Sequence, residues 1–352
     1  VHAFSRQFNI DCDLFSGDTV DVIYDQRQWE EGVKSIEMMR ETMPGDLEQA
    51  AKYTLHTAEE AVNTFHCKGD KPVGAIRYEA GSLSAYKLVI GILKLGLEKG
   101  LNIQTNTSAT RLAKNSDGSW NVTTERGNIS GKKIVLATNG YTGYIFPRMQ
   151  SIIVPLRGQI TTHRPGSCMP PSGLPTTYSF IYSTGYEYMI PRPQGSQHAG
   201  DIVIGGGLAR AEAQGLYQYG TTDDTILSPE ISTYLKDTTP RYFGDAWGED
   251  SADGRVRREW TGIMGYSPDG FPFVGQVPGE QEEGLWISAS FQGHGMVLCF
   301  LCARALVEMM GEKTELELGA WFPNAFRITE ERMQRRFKGV LHLKAGDAQG
   351  TP

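Results

Sequence analysis

The sequence predicts an α/β protein with α+β elements, and three stretches carry that prediction. Between Gly74 and Asn139 the order reads strand, helix, strand, small meander, strand. Between Leu285 and Met310 an apolar strand, a glycine turn and a helix follow one another. The segment separating them, about 152–265, is strand-rich and aromatic. The outer stretches follow the grammar of a dinucleotide-binding domain and the middle one that of a mixed-sheet substrate domain, so two domains interleave along the chain.

Taken in order, residues 24–65 read as helical. Trp29, Val33, Ile36 and Met39 recur at helical spacing, and Leu47–Ala61 forms a second amphipathic run. Gly74–Gly81 is extended. Ser82 is then expected to cap a helix carrying Leu88, Ile92, Leu95 and Leu97 near one face, ended by Gly100. Short strands follow at Leu101–Thr105, Ala109–Ala113, Trp120–Thr124 and Lys133–Thr138, separated by turns such as Asn115-Ser116-Asp117-Gly118. Nucleotide-binding flavoproteins commonly insert such a meander before the last parallel strand of a doubly wound sheet. The middle segment carries Tyr178, Tyr182, Tyr186, Tyr188 and Gly205-Gly206-Gly207; the return is the strand Leu285–Ser290, Gly293-His294-Gly295 and a helix from Met296 to about Met310. These patterns divide the chain into a helical part, 1–70, associated with the substrate domain; a partial dinucleotide domain, 71–150; the substrate domain, 151–260; a return to the first domain, 261–320; and a C-terminal tail, 321–352, frayed over Asp347–Pro352.

Composition narrows the function classes. The 352 residues hold 34 basic and 41 acidic side chains, a net charge of −7, with no Lys/Arg stripe to suit nucleic acid. Hydrophobic residues at 39% sustain a full core, and the 41 glycines point to tight turns and close backbone approaches. The longest uncharged apolar run, Met296–Ala303, is far short of the ~20 residues that span a bilayer, and no address signal is visible, so a cytoplasmic protein is expected. The cysteines Cys12, Cys67, Cys168, Cys299 and Cys302 are odd in number and scattered. Cys299 and Cys302 sit in the apolar helix without a second ligand pair, which reads as core thiols and no metal site.

Three constellations bear on chemistry. Gly293-His294-Gly295 lies between strand and helix, where backbone N–H groups at a helix N-terminus admit a close ligand; it also suits an ordinary strand-to-helix turn. Asp269-Gly270-Phe271-Pro272 fits a type I or II turn. Tyr186-Glu187-Tyr188-Met189-Ile190-Pro191-Arg192 alternates as a strand with Tyr186, Tyr188 and Ile190 on one face. Those rings suit an amine cage, and Arg192 suits either a carboxylate or solvent.

The succession Trp260-Thr261-Gly262, Asp269-Gly270-Phe271-Pro272 and Gly293-His294-Gly295-Met296 resembles the C-terminal flavin-contacting region of the glycine/D-amino-acid oxidase family. Ala80-Gly81-Ser82-Leu83, Arg126-Gly127, Ala137-Thr138-Asn139-Gly140 and Pro155-Leu156-Arg157-Gly158-Gln159 resemble its preceding region, so the likeness covers most of the chain in order. It looks closest to the branch of gamma-glutamylputrescine oxidase. The resemblance implies FAD-dependent oxidation of a small amine or amino acid to the imine, with oxygen reduced to hydrogen peroxide. It implies cofactor contacts at Ala109, Ala137, Thr138, Asn139, Gly140, Asp269, Gly270, Gly293, His294, Gly295 and Met296, and substrate contacts at Tyr186, Tyr188, Arg192 and Trp260; no catalytic acid–base side chain is assigned. The flavin is expected to be noncovalent, because Gly262–Pro268 lacks the cysteine that attaches it in some relatives. The family's G-x-G-x-x-G pyrophosphate loop and ribose-binding acid have no counterpart in these residues, and Val1 resembles a point about a hundred residues into a family member. The expectation is an N-terminally incomplete dinucleotide domain. It would be part of a longer flavoenzyme, completed by another segment or subunit or assembled as a homo-oligomer, or else a flavin-free, repurposed non-oxidase, pseudoenzyme or heteromer subunit. Alone, such a chain would bind FAD roughly a thousandfold more weakly and be colourless as purified.

Overall fold

The computed structural model describes residues 1–311 and 315–338. In chain order the elements are α1 (His2–Gln7), β1 (Phe15–Ile23), α2 (Gln26–Thr42), β2 (Tyr53–Thr57), α3 (Ala58–Thr64), β3 (Gly74–Ser82), α4 (Ala85–Glu98), β4 (Ala109–Lys114), β5 (Trp120–Thr124), β6 (Gly127–Gly131), β7 (Ile134–Leu136), α5 (Thr142–Ile145) and β8 (Val154–His163). There follow β9 (Thr177–Tyr182), β10 (Gly185–Pro191), β11 (Ile202–Gly205), α6 (Pro229–Lys236), α7 (Thr238–Phe243), β12 (Val256–Tyr266), β13 (Phe273–Gln276), β14 (Leu285–Ala289), α8 (Gly295–Met310), α9 (Glu315–Gly319) and α10 (Glu330–Gln334). The fold is mixed α/β.

Eight strands form one sheet in the order β12-β8-β11-β10-β9-β1-β3-β2, antiparallel except where β1 runs parallel to β9. Strand alternation gives it two faces. On one, Val20, Val22, Tyr178, Phe180, Met189, Ile202 and Ile204 pack with Tyr242, Phe243 and Trp247 of the α7 region in a buried cluster. On the other, Ile23 and Ile76 receive Trp29 and Ile36 of α2, which covers the β1 and β3 end only. A second sheet, β13-β14-β7, has β14 parallel to β7, and its core joins Phe273, Leu285 and Ile287 to Ile152, Ile153 and Met149. The meander is β4-β5-β6.

Several local expectations change. Leu47–Ala61 is not one helix: Tyr53–Thr57 pairs with β3, and Thr57 then caps α3 in a reciprocal box with Glu60, which ends the strand and starts the helix. Ser82 is the last residue of β3, opposite Phe15; Ser84 caps α4, accepting from the Lys87 N–H. Gly74–Ser82 belongs to the eight-stranded sheet, not to the sheet containing β7. Leu101–Thr105 is irregular and largely exposed, with no strand beside it among the described residues to satisfy its backbone. Cys302 is buried as expected, whereas Cys299 is exposed.

Within residues 321–338, Phe322, Ile328, Arg332 and Met333 are buried. Asp347–Pro352 lies outside the described residues. β7 is an edge strand of its sheet, and Val135 on it, Val89 and Ile92 on α4, and Val297, Phe300, Leu301 and Val307 on α8 are large apolar side chains left exposed. No helix among the described residues is long and apolar enough to cross a membrane.

Candidate active site

The turn from β14 into α8 is built under strain and clamped. Ser290 and Gln292 hold φ values of +69° and +54°, a left-handed region that costs a non-glycine residue on the order of 1 kcal/mol or more, before Gly293 at +75°. Asn139 Oδ1, at the end of β7, accepts from the N–H of Ser290 at 2.9 Å and of Phe291 at 3.3 Å. The buried Gln292 amide donates to Ser290 O, Ser290 Oγ and Ser267 Oγ at 2.9–3.0 Å, while its oxygen accepts from Ser267 N. Gln292 N also donates to Gly265 O at 3.0 Å, so the ends of β7, β12 and β14 meet at this turn.

α8 starts at this turn with no side chain capping its N-terminus, leaving first-turn N–H groups and the positive end of the helix dipole available to an electron-rich ligand. His294, its N-cap residue, donates from Nδ1 to Gln292 O at 2.8 Å, because a carbonyl only accepts, which leaves Nε2 as the ring nitrogen free to face a ligand.

Beside the turn lies a cavity of about 380 Å³ walled by Tyr182, Tyr186, Tyr188, Tyr219, Tyr266 and Met264, with Gly270, Gln292 and His294 at one end. Burial pushes the Tyr188 phenol up to about 12 and the Tyr266 phenol higher still, so both remain neutral donors at physiological pH. Behind the wall, fully buried Glu187 accepts from the hydroxyls of Tyr182 and Tyr242, and Arg241 donates to the Tyr242 and Tyr234 hydroxyls at 2.9 and 2.8 Å. Among the described residues, Arg157 is the one side chain with a fixed charge that lines the cavity. Its Nε donates to Gln218 Oε1 at 2.9 Å and Nη1 to Asp223 O at 3.0 Å, while no carboxylate forms an ion pair with it among the described residues. It is therefore oriented, with the Asp223 carboxylate close enough to feel its charge but not paired with it, and can take an anionic group of a ligand.

The residues expected to form the site separate into groups. Tyr186, Tyr188, Gly270 and His294 line the cavity. Gly293 borders it: a Cβ there would stand 3.4 Å from Met264 Sδ and from Tyr266 Oη. Gly295 and Met296 begin α8. Asp269 is otherwise engaged. Burial alone would raise its carboxyl, but Arg332, bonded at 2.8 and 2.9 Å, together with the Phe271 N–H and Ser267, holds it below the ordinary value. Thr138 bonds Thr142 across its own turn at 2.9 Å, and Gly140 packs so tightly that a Cβ would lie 2.5 Å from Met264 O. Ala137 and Ala109 are exposed, at the end of β7 and the start of β4. Arg192 and Trp260 do not line the cavity; they meet in a second groove further along the large sheet. Arg157, Tyr219, Tyr266 and Gln292 are cavity residues that residue types alone did not single out. Arg157 stood in the Pro155–Gln159 motif and Gln292 beside the glycine turn, the only signals available.

The family model described as DAO, FAD dependent oxidoreductase, matches residues 1–309. A glycine oxidase of Pseudomonas aeruginosa is 23% identical over 222 residues, covering 62% of this chain and 53% of that protein. A protein named probable oxidoreductase OrdL from Rhizobium meliloti is 25% identical over 239 residues, covering 68% of this chain and 49% of that one. The chain thus spans about half the length of these curated relatives. Among solved structures, glycine oxidase from Geobacillus kaustophilus superposes with a TM-score of 0.72 at 18% identity, over 94% of this chain and 80% of that one. Iminodiacetate oxidase from Chelativorans sp. BNC1 gives 0.68 at 17% identity, over 92% and 80%.

Proposed function

The chain belongs to the DAO family of FAD dependent oxidoreductases, and on that premise we propose that it houses the substrate and flavin-ring end of an enzyme oxidising a small amine or amino acid to the imine, with oxygen reduced to hydrogen peroxide. The observation that carries the reading is the meeting of the aromatic cavity with the uncapped start of α8 through His294 and Gly270. The residues fit a flavin ring there. Beyond its own chain neighbours, Gly270, at φ +74°, has no atom of the described residues within 4 Å of where a Cβ would be, and the first-turn N–H groups of α8 suit the electron-rich edge of the ring.

FAD, when bound, supplies the acceptor for the hydride equivalent. The chain's own residues do the rest. Arg157 holds the carboxylate of an amino-acid substrate, and the tyrosine wall excludes water and seats the carbon beside the nitrogen. Nε2 of His294, the ring nitrogen not used by the Gln292 carbonyl, stands to bond the amine. Among the described residues no glycine-rich loop addresses a pyrophosphate. The unpaired edge of β7 and the exposed apolar side chains of α4 and α8 support docking of the remaining part of a dinucleotide unit on that side, from a further segment or subunit.

Oxygen uptake and peroxide formation with FAD and a panel of small amines and amino acids test the reading. Substrate-dependent peroxide at one equivalent per oxygen consumed is expected. Flavin binding without turnover of any amine would favour a repurposed non-oxidase on the same fold.

A further inference from the structure

The face of the large sheet that α2 covers only at its β1 and β3 end carries, at the β8 and β12 end, a second groove of about 470 Å³, lined by Thr162, Arg192, His198, Arg257, Arg258 and Trp260 among others. Strand pairing puts Trp260 opposite Ile160 and Arg258 opposite Thr162, on the face that carries Gly158 of the cavity. Gly158 and Thr162 are four residues apart, so the two sites stand about 13 Å from each other along the strand at ~3.3 Å per residue.

Three features make this groove a built cation cluster. β12 is an edge strand, and its register shifts between Val256 and Arg258, so that Arg257 is an extra residue and two successive arginines serve the same groove. Bulges of this kind re-aim side chains at strand edges. Second, two of the arginines are fixed from behind by buried carboxylates. Arg257 pairs through Nε and Nη2 with Asp201, whose side chain is 4% exposed, and Arg192 through Nη2 with Asp13, 8% exposed, at 3.2 Å. Arg192 Nε is further held by Gln197 O at 2.7 Å, so each of these two guanidiniums keeps Nη1 without a protein acceptor among the described residues. Third, Arg258 is exposed, with no side-chain partner among the described residues, beside the half-open ring of Trp260. Asp13 and Asp201 are already committed, which leaves the excess positive charge of Arg258 facing solvent.

The geometry points to an oxyanion-binding site, for a carboxylate or phosphate group of a small ligand, formed by Arg192, Arg257 and Arg258 with Trp260 as its wall. It is independent of the proposed oxidation at the cavity. Pyrophosphate and citrate are titrated into the purified protein at constant ionic strength, with tryptophan fluorescence and calorimetry as readouts. A saturable response is expected, with affinity falling at least tenfold in Arg258→Ala and further in Arg258→Glu, and unchanged in the cavity variant Arg157→Ala. In Trp260→Phe the optical response disappears while the heat remains. Pyrophosphate binding more tightly than citrate identifies a phosphate site, and the reverse order a carboxylate site. Equal affinity in wild type and Arg258→Ala, loss of the response in Arg157→Ala, or a response that tracks ionic strength alone would overturn the assignment. Arg258 is exposed, so thermal melting unchanged from wild type separates lost binding from lost fold.

Discussion

The side-chain oxygen of Asn139 accepts a hydrogen bond from the backbone N–H of Ser290 at 2.9 Å, tying the end of β7 to the end of the strand beside it across 151 positions of sequence. The same oxygen takes the N–H of Phe291, and Asn139 itself sits at φ +43°. Asn139→Ala removes both bonds and puts a less tolerant residue in the left-handed region. The expected loss is about 2–3 kcal/mol of stability. Asn139→Gly, which relieves the backbone while losing the same bonds, should cost less. Thermal melting of the two variants beside wild type checks the order; equal melting of all three would show that the clamp carries no stability.

Arg157 gives a prediction about substrate choice. Arg157→Ala should raise KM by roughly 10- to 100-fold for substrates carrying a carboxylate, from the loss of a charge-assisted hydrogen bond. Amines without a carboxylate should keep their KM. An equal effect on both classes would mean that Arg157 only supports the loop holding Gln218 and Asp223.

The Asp269–Arg332 pair is predicted to be structural. Both groups are largely buried and bonded through two parallel contacts, so Asp269→Ala leaves an uncompensated guanidinium and should cost about 3–5 kcal/mol. Urea unfolding measures it, and a loss below about 1 kcal/mol would contradict the assignment.

The turn at Gly293-His294-Gly295 and α8 after it were legible because an apolar strand, glycines and a long apolar helix are local signals. So was the alternation that sends Tyr186 and Tyr188 to one face of β10. What could not be read locally was decided by distant partners. Tyr53–Thr57 lies within a run of helical period, yet β3 offers it an edge, and pairing outweighs periodicity. Arg192 follows β10 at the end away from Tyr186 and Tyr188, and Asp13, 179 positions earlier, holds it in the other groove. Arg157 stood in the Pro155–Gln159 motif, but only the fold placed it on a cavity that Tyr219 and Tyr266 also line.

His163 predicts an acid limb of stability. It is fully buried on β8, bonded at Nδ1 to Thr239 Oγ1 at 2.8 Å, with no partner at Nε2 among the described residues. Burial, reinforced by Arg255, pushes its pKa down to about 4 from an ordinary 6.5. Between those values the unfolded chain binds the extra proton, so stability rises with pH there. The contribution is complete above about pH 6.5 and is lost as pH falls toward 4, about 3 kcal/mol in all. Replacing His163 with Gln should flatten the melting temperature across that window; an unchanged slope would place the titration elsewhere.

The central claim is that the start of α8 and the Gly270 turn receive a flavin ring beside the tyrosine cavity, and the visible difference spectrum of the protein titrated with FAD tests it most directly. The account predicts a saturable perturbation of the flavin band at added FAD in the high micromolar range or above. It should persist in Arg157→Ala and vanish in Gly295→Val, where the added Cβ would stand 3.3 Å from Cys299 Sγ and the branched side chain would fill the helix start. A flavin spectrum that stays unperturbed, or one perturbed equally in Gly295→Val, would contradict it.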